Sequence, residues 1–486
     1  MIPMALTKVA AALGTDCGAG AKDIVIRRVT IDSRDVQSGD LFVAIVGERF
    51  DGHQFIAEAA SKGAVACVCE HRWLNSASAA TASVPYLAVP DTAEALGRLA
   101  AYYRRSVMDV ATVVIAVTGT NGKTTTKCMI DHVLQACFQG RAAPRNFNNE
   151  IGVPLTLLSA EKGDRYLVVE IGTNHRGEVA VLAEMASPNA ALITSIGEAH
   201  LEGLGNIENV AAEKASVLPL VRPDGLSVVN IDRAEIQRHL PRTATPRLIT
   251  IGTDPRARLC VADVTGDIRR VRFLLDGRFR VELPMPGLHH ATNAAATFAV
   301  ARWFGMAPPR ILDRLGSFEP PEGRTRVYDL DGVNVVDDAY NANPSSMAAA
   351  IEALARGASG RRVFVMGDMF ELAEASETFH REAVQAVADA GIEWLVAVGT
   401  ATADAVVYCR LPIVEAGFAQ PVAESPDLKV RGTRVVVCED APAAERVLAE
   451  LLTPGDTVWV KGSRAMQLDT VVTALRRRLD SATAVA

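Results

Sequence analysis

The sequence lacks the features of a disulfide scaffold, a zinc site and a membrane protein. Its eight cysteines are scattered and include no CxxC pair, which points to a reducing compartment. No stretch approaches the roughly 20 uninterrupted apolar residues that a membrane-spanning helix needs. The N-terminal segment is mildly apolar, but Lys8 interrupts it and no cleavage site follows, so it predicts an amphipathic helix rather than a signal peptide. We therefore expect a cytoplasmic protein without membrane insertion.

The chain also lacks a basic surplus, tandem repeats and low-complexity tracts. Its 50 Lys and Arg are outnumbered by 57 Asp and Glu, which gives a formal net charge of -7. A general nucleic-acid binder would instead neutralise phosphates with an excess of basic residues, so we expect no nucleic-acid partner. Hydrophobic residues at 49% and charged residues at 22% are typical of an ordinary globular protein.

The length and the order of predicted elements indicate an α/β protein of several domains. At 486 residues the chain exceeds the size at which one hydrophobic core stops growing, so we expect about three domains in a monomer. Strands alternate with helical segments over most of the sequence, which is the rhythm of a doubly wound parallel sheet. The predicted domains are 1–110, 111–320 and 321–486.

Three segments mark the boundaries and the irregular parts of this pattern. The β-branched run at 111–118 predicts a strand buried on both faces, which opens the second domain. The stretch 258–283 contains shorter strands and predicts a small antiparallel addition. The segment 316–324 contains Pro and Gly and indicates an interdomain connection, after which the α/β rhythm resumes.

The strongest local signal is TGTNGKTTTK at 118–127, between a predicted strand and an apolar-periodic helix. This is the context that a phosphate-binding loop requires. Glycines let backbone N–H groups approach the phosphates, the lysine can reach the β- and γ-phosphates, and a hydroxyl can bind Mg²⁺. The alternative is a glycine-rich turn with a chance lysine, since Val117 stands where the strict pattern has glycine. The predicted nucleotide contacts are Gly119, Thr120, Asn121, Gly122, Lys123, Thr124 and Thr125.

Three more residues of the second domain could work with this loop. Glu170 ends a predicted strand and His200 follows the next one, so both are expected at the carboxyl edge of the sheet, where ligands bind. For either residue the alternative is a satisfied polar group at a strand end. Lys214 lies on the following helix beside Glu213, and the alternative for it is a lysine solvated on the helix surface.

Taken in order, these residues and several longer segments resemble the Mur ligases, the ATP-dependent amide ligases of peptidoglycan precursor synthesis. The resemblance extends over nearly the whole chain and implies an N-terminal α/β domain for the UDP-linked substrate, a central phosphate-loop ATPase domain with a parallel sheet, and a C-terminal Rossmann-like α/β domain. The segments that carry it are TIDSRDVQSGDLFVAIVGERFDGHQF, TGTNGKTTTK, NFNNEIGVPLTLL, EIGTNHRGE, GEAHLEGLG, HHATNAAATFAVA, PEGRTRV, DAYNANP and KGSR.

The resemblance implies a metal site in the central domain. Thr124, Glu170 and His200 would surround two Mg²⁺ ions together with Lys214, which stands where the family carries a carbamylated lysine. Carbamylation by CO₂ turns a cation into an anionic oxygen ligand, which suits a hard metal ion. His200 and Lys214, with Lys123 and Arg324, would form the catalytic centre.

The resemblance also assigns the nucleotide contacts that lie outside the loop. Asn293 would contact adenine, since an amide can both donate to and accept from its edge. Arg324 would approach the ATP phosphates with its planar charged fork and act in catalysis. Asp338 would bind the ribose.

The predicted substrate contacts are spread over all three domains. By resemblance Ser33 and Arg34 lie near the uridine diphosphate, and Asn146 and Asn149 belong to the segment after the ATP loop. The DAYNANP segment, and VFVMGDMFEL with His380 after it, resemble in particular the members that add D-alanyl-D-alanine to UDP-N-acetylmuramoyl-tripeptide. The candidates for binding the dipeptide are Asn341, Asn343 and Asp368.

The reaction implied is ATP-dependent amide formation through an acyl phosphate. Two alternatives stay open at this point. One is a related ligase that adds the third amino acid or extends a glutamate chain on folate. The other is a phosphate-loop NTPase that uses hydrolysis as a switch or motor.

Overall fold

The computed structural model describes residues 1–17, 21, 23–47, 50–75, 83–144, 146–240, 247–414 and 432–483. Within these ranges the strands form one short ribbon and three α/β sheets of four, nine and six strands. All eight cysteines are free thiols. No helix in the described part of the chain combines the length and apolar character that crossing a bilayer requires.

The first sheet has four parallel strands in the order β3-β4-β5-β6. The amphipathic helix predicted at the N-terminus is present and ends at Gly14, whose φ of 65° suits a helix C-cap. Asp91 begins the longest helix of this unit by accepting a hydrogen bond from the Glu94 N–H. The elements are β1 Met4–Ala5, α1 Leu6–Leu13, β2 Val25–Ile26, β3 Arg28–Thr30, β4 Asp40–Val43, α2 Ile56–Ser61, β5 Ala64–Glu70, β6 Tyr86–Val89 and α3 Thr92–Ser106.

The second sheet has nine strands in the order β15-β14-β13-β12-β11-β10-β7-β9-β8. The strands from β7 to β13 pair in parallel, and β13, β14 and β15 form the antiparallel addition predicted for 258–283. The elements are β7 Val113–Thr118, α4 Lys123–Leu134, β8 Gly140–Ala142, α5 Gly152–Leu158, β9 Tyr166–Glu170, α6 Glu178–Ala186, β10 Ala190–Ile193, α7 Leu201–Leu204, α8 Ile207–Ala215, β11 Leu226–Asn230, α9 Ala234–Gln237, β12 Arg247–Gly252, β13 Leu259–Gly266, β14 Val271–Leu275, β15 Phe279–Leu283, α10 His290–Trp303 and α11 Pro308–Gly316.

The third sheet has six strands in the order β16-β17-β21-β18-β19-β20, of which only β16 runs antiparallel to its neighbour. The segment 316–324 connects it to the preceding unit. The elements are β16 Arg326–Leu330, β17 Val333–Asp337, α12 Pro344–Gly357, β18 Arg362–Gly367, α13 Ser376–Asp389, β19 Trp394–Val398, α14 Thr400–Tyr408, β20 Arg434–Cys438, α15 Ala441–Leu451, β21 Thr457–Lys461 and α16 Asp469–Thr483.

The topology explains where a ligand can bind. In the central sheet the chain leaves β7 for β8 and β9 on one side and then returns to β10 on the other. A crevice forms outside the carboxyl ends of parallel strands at such a switch point. The carboxyl ends of β17 and β21 in the third sheet supply Asp338 and Lys461 to the same space, so two sheet edges share one cavity.

Candidate active site

The loop predicted to bind phosphate lies where β7 ends and α4 begins. Gly119 and Gly122 have φ values of 143° and 81°. A Cβ on Gly119 would lie 2.1 Å from Thr194 Oγ1, and one on Gly122 would lie 2.6 Å from Asn293 Oδ1. Both positions therefore require glycine for space as well as for backbone conformation. Val117, which stands where the strict phosphate-loop pattern has glycine, is buried within β7. The tight turn of the loop therefore starts only after this residue.

Lys123 sits on the first turn of α4 and bends over the loop. Its Nζ donates to the carbonyl oxygens of Gly119 at 2.8 Å and Thr120 at 3.0 Å. Burial lowers the pKa of Lys123 to about 8. The attraction of Glu170 opposes this shift, and repulsion from Arg324 adds to it. The ammonium and the N-terminal N–H groups of α4 share one side of the cavity, an arrangement that attracts an anion such as phosphate.

Glu170, at the end of β9, is joined to this loop by hydrogen bonds. Its carboxylate accepts from Thr124 Oγ1 at 3.0 and 3.2 Å and from Asn148 Nδ2 at 3.1 Å. It also forms a buried ion pair with Lys127, in which Nζ and Oε2 are 3.1 Å apart. Burial favours a raised pKa for Glu170, but the nearby cations Lys127, Lys123 and Arg324 lower that pKa overall. The carboxylate is therefore ionised.

The donors around this carboxylate fit a magnesium ion that is also held by phosphate. The Thr124 hydroxyl and the Glu170 carboxylate offer the oxygen atoms that Mg²⁺ prefers. Across the described residues, no group of three His, Cys, Asp or Glu side chains is placed to hold a metal ion. A cation here would complete its coordination with phosphate and water oxygens, which is usual for Mg²⁺.

Lys214, on α8, is fully buried, and its Nζ has no hydrogen-bond partner. Glu213 makes no hydrogen bond to this amine, and its carboxylate accepts from the N–H groups of Gly177 at 2.7 Å and Val179 at 2.8 Å near the start of α6. Burial, and then repulsion from Lys123, lower the pKa of Lys214 well below its ordinary value, although the attraction of Glu213 opposes this shift. The alternative of a solvated surface lysine is therefore wrong. Burial thus favours the unprotonated form of this amine.

His200 links the central domain to the C-terminal one. It precedes α7 with a φ of 54°, and its Nδ1 lies 2.6 Å from Glu371 Oε2. The hydrogen bond with His200, and then Lys123, lower the pKa of the Glu371 carboxyl against the effect of burial. Since Glu371 occupies Nδ1, Nε2 is the ring nitrogen that His200 can offer to a ligand.

Arg324 reaches from the interdomain connection into the phosphate loop. One guanidinium nitrogen, Nη2, donates to Thr124 Oγ1 at 3.4 Å, and the planar group lies over the Tyr340 ring at 4.0 Å from its centroid. The Nε atom is buried and has no hydrogen-bond partner. A buried donor of this kind is costly unless a ligand satisfies it, and a guanidinium matches phosphate oxygens.

A chain of hydrogen bonds joins the predicted adenine residue to Arg324. His290 Nδ1 accepts from Asn293 Nδ2 at 3.1 Å, so the proton lies on Nε2, which donates to Thr325 Oγ1 at 3.1 Å. Thr325 has a φ of 59° and donates its hydroxyl to the Arg324 carbonyl at 2.6 Å. The neutral imidazole therefore positions the strained turn that carries the arginine.

We predict that the free energy of unfolding falls as the pH drops below about 6.5, because His290 must stay neutral in the folded protein. Burial, with repulsion from nearby cations, holds the pKa of His290 well below its ordinary value of 6.5. The unfolded state then binds a proton that the folded state does not. The decrease is at most about 1.4 kcal/mol for each pH unit, down to the folded pKa.

Thermal melts between about pH 7 and 5 measure this effect. The melting temperature of His290→Gln should depend less steeply on pH than that of the parent protein. An unchanged slope in His290→Gln would mean that this imidazole does not limit the acid stability.

Asp338 and Lys461 form a buried pair on the C-terminal side of the cavity. Lys461 Nζ donates to Asp338 Oδ2 at 2.8 Å and to the Asn341 carbonyl at 3.0 Å. Trp459 Nε1 lies 3.4 Å from the same carboxylate oxygen. The carboxylate predicted to bind ribose is thus held in a fixed orientation.

These groups surround a cavity of about 590 Å³ between the two domains. That volume lies within the usual range for ligand pockets. A second cavity of about 190 Å³ adjoins it, shares Asn121 and Gly122 with it and contains Asn293. The predicted residues that line the larger cavity are Thr120, Asn121, Gly122, Lys123, Thr124, Thr125, His200, Arg324, Asp338, Asn341 and Asn343.

The residues predicted to bind the UDP part lie apart from this cavity, in the first domain. Ser33 is buried and donates its hydroxyl to Glu58 Oε2 at 3.1 Å. Arg34 is exposed and pairs with Asp32 at 2.7 Å. A carboxylate already satisfies the guanidinium, so an arriving diphosphate would compete with it. The role of both residues stays a prediction.

Three other candidates already have structural partners or lie at the surface. Asn146 is exposed. Asn149 Oδ1 accepts from the Gly152 N–H at 3.0 Å, at the start of α5. Asp368 is buried and accepts from the Thr402 N–H and hydroxyl, both at 2.8 Å, at the start of α14. It does not line the cavity, and its assignment to the dipeptide stays a prediction.

Sequence reasoning missed several residues of the site, among them Lys127, Asn148 and Glu371. Lys127 stands four positions after Lys123 on the same helix face, so the i,i+4 spacing could have revealed it. Asn148 and Glu371 carry no such local signal. They reach Glu170 and His200 only because the chain folds back over distances of 22 and 171 residues.

Three family models match the chain in order. They describe the Mur ligase family catalytic domain at 25–104, the Mur ligase middle domain at 117–301 and the Mur ligase glutamate ligase domain at 323–464. The chain is 31% identical over 462 residues to the UDP-N-acetylmuramoyl-tripeptide–D-alanyl-D-alanine ligase of Bacillus subtilis, covering 94% of this chain and 95% of the relative. It is 32% identical over 459 residues to the ligase of the same name from Escherichia coli, covering 93% and 94%.

Solved structures show the same similarity in three dimensions. A crystal structure of MurF from Acinetobacter baumannii superposes with a TM-score of 0.81 at 27% identity, covering 98% of this chain and 99% of the other. MurF ligase from Thermotoga maritima in complex with ADP superposes with a TM-score of 0.76 at 28% identity, covering 95% and 99%. The similarity spans all three sheets.

Proposed function

The chain belongs to the Mur ligase family, and we propose that its interdomain cavity is where ATP drives amide formation. The protein is an ATP-dependent ligase that adds D-alanyl-D-alanine to UDP-N-acetylmuramoyl-tripeptide in peptidoglycan synthesis. The observation that carries the assignment of the site is that Lys123, Arg324 and Thr124, whose hydroxyl donates to Glu170, line one cavity. Each of these groups suits phosphate chemistry.

The first step that we propose is phosphorylation of the substrate carboxylate. A carboxylate is a poor electrophile, and transfer of the γ-phosphate gives it a leaving group. The attacking carboxylate and the ATP phosphates repel each other, so cations must neutralise the charge that gathers in the transition state. Lys123 and Arg324 lie on the wall where that charge would develop.

We assign Thr124 and Glu170 to one Mg²⁺ ion and His200 with a carbamylated Lys214 to a second. Bound Mg²⁺ would supply positive charge to the phosphates. The support for carbamylation is that the Lys214 amine is buried and unpartnered, and that burial lowers its pKa and so favours the unprotonated form that reacts with CO₂. Its nitrogen can attack the carbon of CO₂, forming an N–C bond and releasing one proton, to give an anionic carbamate.

The second step is attack of the dipeptide amine on the acyl phosphate, with phosphate leaving. The amine must be neutral to attack. An acyl phosphate hydrolyses readily, so the cavity must exclude water while it exists. The walls contributed by the C-terminal domain, among them Phe370 and Glu371, serve that purpose.

We further propose that the enzyme works as a cytoplasmic monomer. Its substrates, ATP and a UDP-linked precursor, are charged molecules that do not cross a bilayer unaided. The free cysteines support a reducing compartment.

The decisive experiment is to incubate the protein with ATP, Mg²⁺, UDP-N-acetylmuramoyl-tripeptide and D-alanyl-D-alanine and to measure product masses. We expect the pentapeptide product, with one ADP and one phosphate formed for each amide. Product with a single amino acid instead of the dipeptide would identify a related ligase. ATP turnover without any new amide would favour the NTPase alternative.

We predict that Arg324→Ala lowers kcat by about 10²- to 10³-fold, the usual cost of removing one group that stabilises transition-state charge. The dissociation constant for the UDP-substrate, measured without ATP, should change little, because Arg324 contacts the ATP loop rather than the first domain. Arg326, two positions away, pairs with Glu319 near the surface and provides the matched control. Loss of UDP-substrate binding with normal kcat would contradict the assignment.

A further inference from the structure

The N-terminal end of α12 in the C-terminal domain rests directly on the phosphate loop of the central domain. Asn121 Nδ2 donates to Asn343 Oδ1 at 3.3 Å and to Ser345 Oγ at 2.9 Å. Asn343 Nδ2 in turn donates to Asn121 Oδ1 at 2.7 Å. Two side-chain amides from different domains therefore bind each other reciprocally, beside the site for the ATP phosphates.

On the C-terminal side this contact is anchored in a rigid helix end. Asn343 is the N-cap of α12, and its Oδ1 accepts from the Ser346 N–H at 2.9 Å. The Ser346 hydroxyl accepts from the Asn343 N–H at 3.0 Å, which completes a capping box. A movement of Asn343 is consequently a movement of the whole helix.

On the central side the contact is anchored in the loop itself. The Asn121 N–H donates to Ser195 Oγ at 2.9 Å, and the Asn121 carbonyl accepts from the Thr194 hydroxyl at 2.5 Å. Gly197 packs at the same junction, where an added Cβ would lie 2.8 Å from Ser345 Oγ. The loop, the segment after β10 and the start of α12 thus meet without room for one methyl group.

We propose that the Asn121–Asn343 amide pair is the contact through which the phosphate loop sets the position of the C-terminal domain. This inference rests on the proposed function. Asn343 is then a positioning residue rather than a ligand of the dipeptide. A nucleotide that fixes the loop also fixes α12, and with it the Asp338, Asn341 and Lys461 side of the cavity. Occupation by ATP is thereby coupled to completion of the dipeptide site.

Asn343→Ser separates this coupling from helix capping, because serine caps a helix well but is too short to pair with Asn121. We expect an unchanged melting temperature and a KM for D-alanyl-D-alanine raised about five- to tenfold. Because such coupling is reciprocal, ADP should also bind more weakly to Asn343→Ser than to the parent. Small-angle scattering with ADP should give a larger radius of gyration than for the parent. Asn343→Asp also caps the helix, but it places a carboxylate oxygen opposite Asn121 Oδ1, and the two oxygens repel each other. The KM for D-alanyl-D-alanine should therefore rise further than in Asn343→Ser.

A steric pair tests the same contact from the other domain. Gly197 does not have a positive φ, so its backbone accepts alanine, and Gly197→Ala should hold α12 away from the loop. Adding Ser345→Ala removes the hydroxyl that the new methyl meets and should restore the KM to that of Ser345→Ala alone. If the double variant does not restore the KM, Gly197→Ala acts only on its own loop. The proposed clash with Ser345 would then be wrong.

The proposal is overturned if Asn343→Ser keeps the parent's KM and its scattering profile with ADP. If Asn343→Ser fails to fold, the Gly197 and Ser345 variants decide the question. Absence of amide product from the parent protein would instead refute the proposed function. In that case the scattering measurements with ADP still test the coupling by themselves.

Discussion

Lys123→Ala should lower the rate of amide formation by about 10³-fold or more while the protein stays folded. In the proposed function its ammonium is the cation that the loop presents to the β- and γ-phosphates, where charge stabilisation is most of the catalysis in phosphoryl transfer. The side chain donates only to the Gly119 and Thr120 carbonyls of its own loop. Its removal therefore leaves the core intact.

Single-turnover formation of ADP and product formation by mass are the measurements for this variant. Lys123→Arg should also be poor, since a bulky planar fork does not replace a compact point charge at the end of a tight loop. The exposed Lys162 provides the control, and Lys162→Ala should match the parent. Near-normal turnover in Lys123→Ala would show that ATP binds elsewhere.

Lys214→Ala should likewise reduce activity steeply, because it removes the proposed carbamate. The amine is buried and has no hydrogen-bond partner, so the substitution breaks no hydrogen bond. It leaves a space that a short-chain carboxylic acid can enter, and adding such an acid should recover part of the activity. Lys214→Arg should stay inactive, since guanidinium cannot supply carbamate oxygens.

Two measurements separate a metal-site role from a structural one. Carbon NMR with labelled CO₂ should show a carbamate signal in the parent protein and none in the variants, whatever their activity. Lys214→Met keeps the volume of the side chain, so its melting temperature should stay close to the parent's while its activity falls. Activity near normal in Lys214→Ala and Lys214→Arg, with no carbamate signal in the parent, would show that the family role does not apply to this residue.

The sequence by itself determined the features that depend on neighbouring residues. The run 111–127 encodes a buried strand, a glycine turn and a helix in direct succession, so both the loop and the place of Lys123 could be predicted. The antiparallel addition at 258–283 and the connection at 316–324 were also readable, because strand length, Pro and Gly act locally. The α/β fold class follows from the same alternation.

Tertiary structure alone decided what surrounds each candidate. Lys214 has the pattern of a surface helix residue, yet packing buries it completely. Asp368 stands at a strand end like a ligand, yet its carboxylate is used to begin a helix. Burial and hydrogen bonding depend on every element packed nearby, and periodicity within one element cannot report them.

The same limit applies to contacts between domains. Asn121 and Asn343 are 222 residues apart, and His200 and Glu371 are 171 apart. From the sequence alone, each of these residues could cap a helix, form part of a turn or contact a ligand, because its sequence neighbours are compatible with all three. Only the packing of the central sheet against the C-terminal one selects the partner of each residue and brings these side chains into one site.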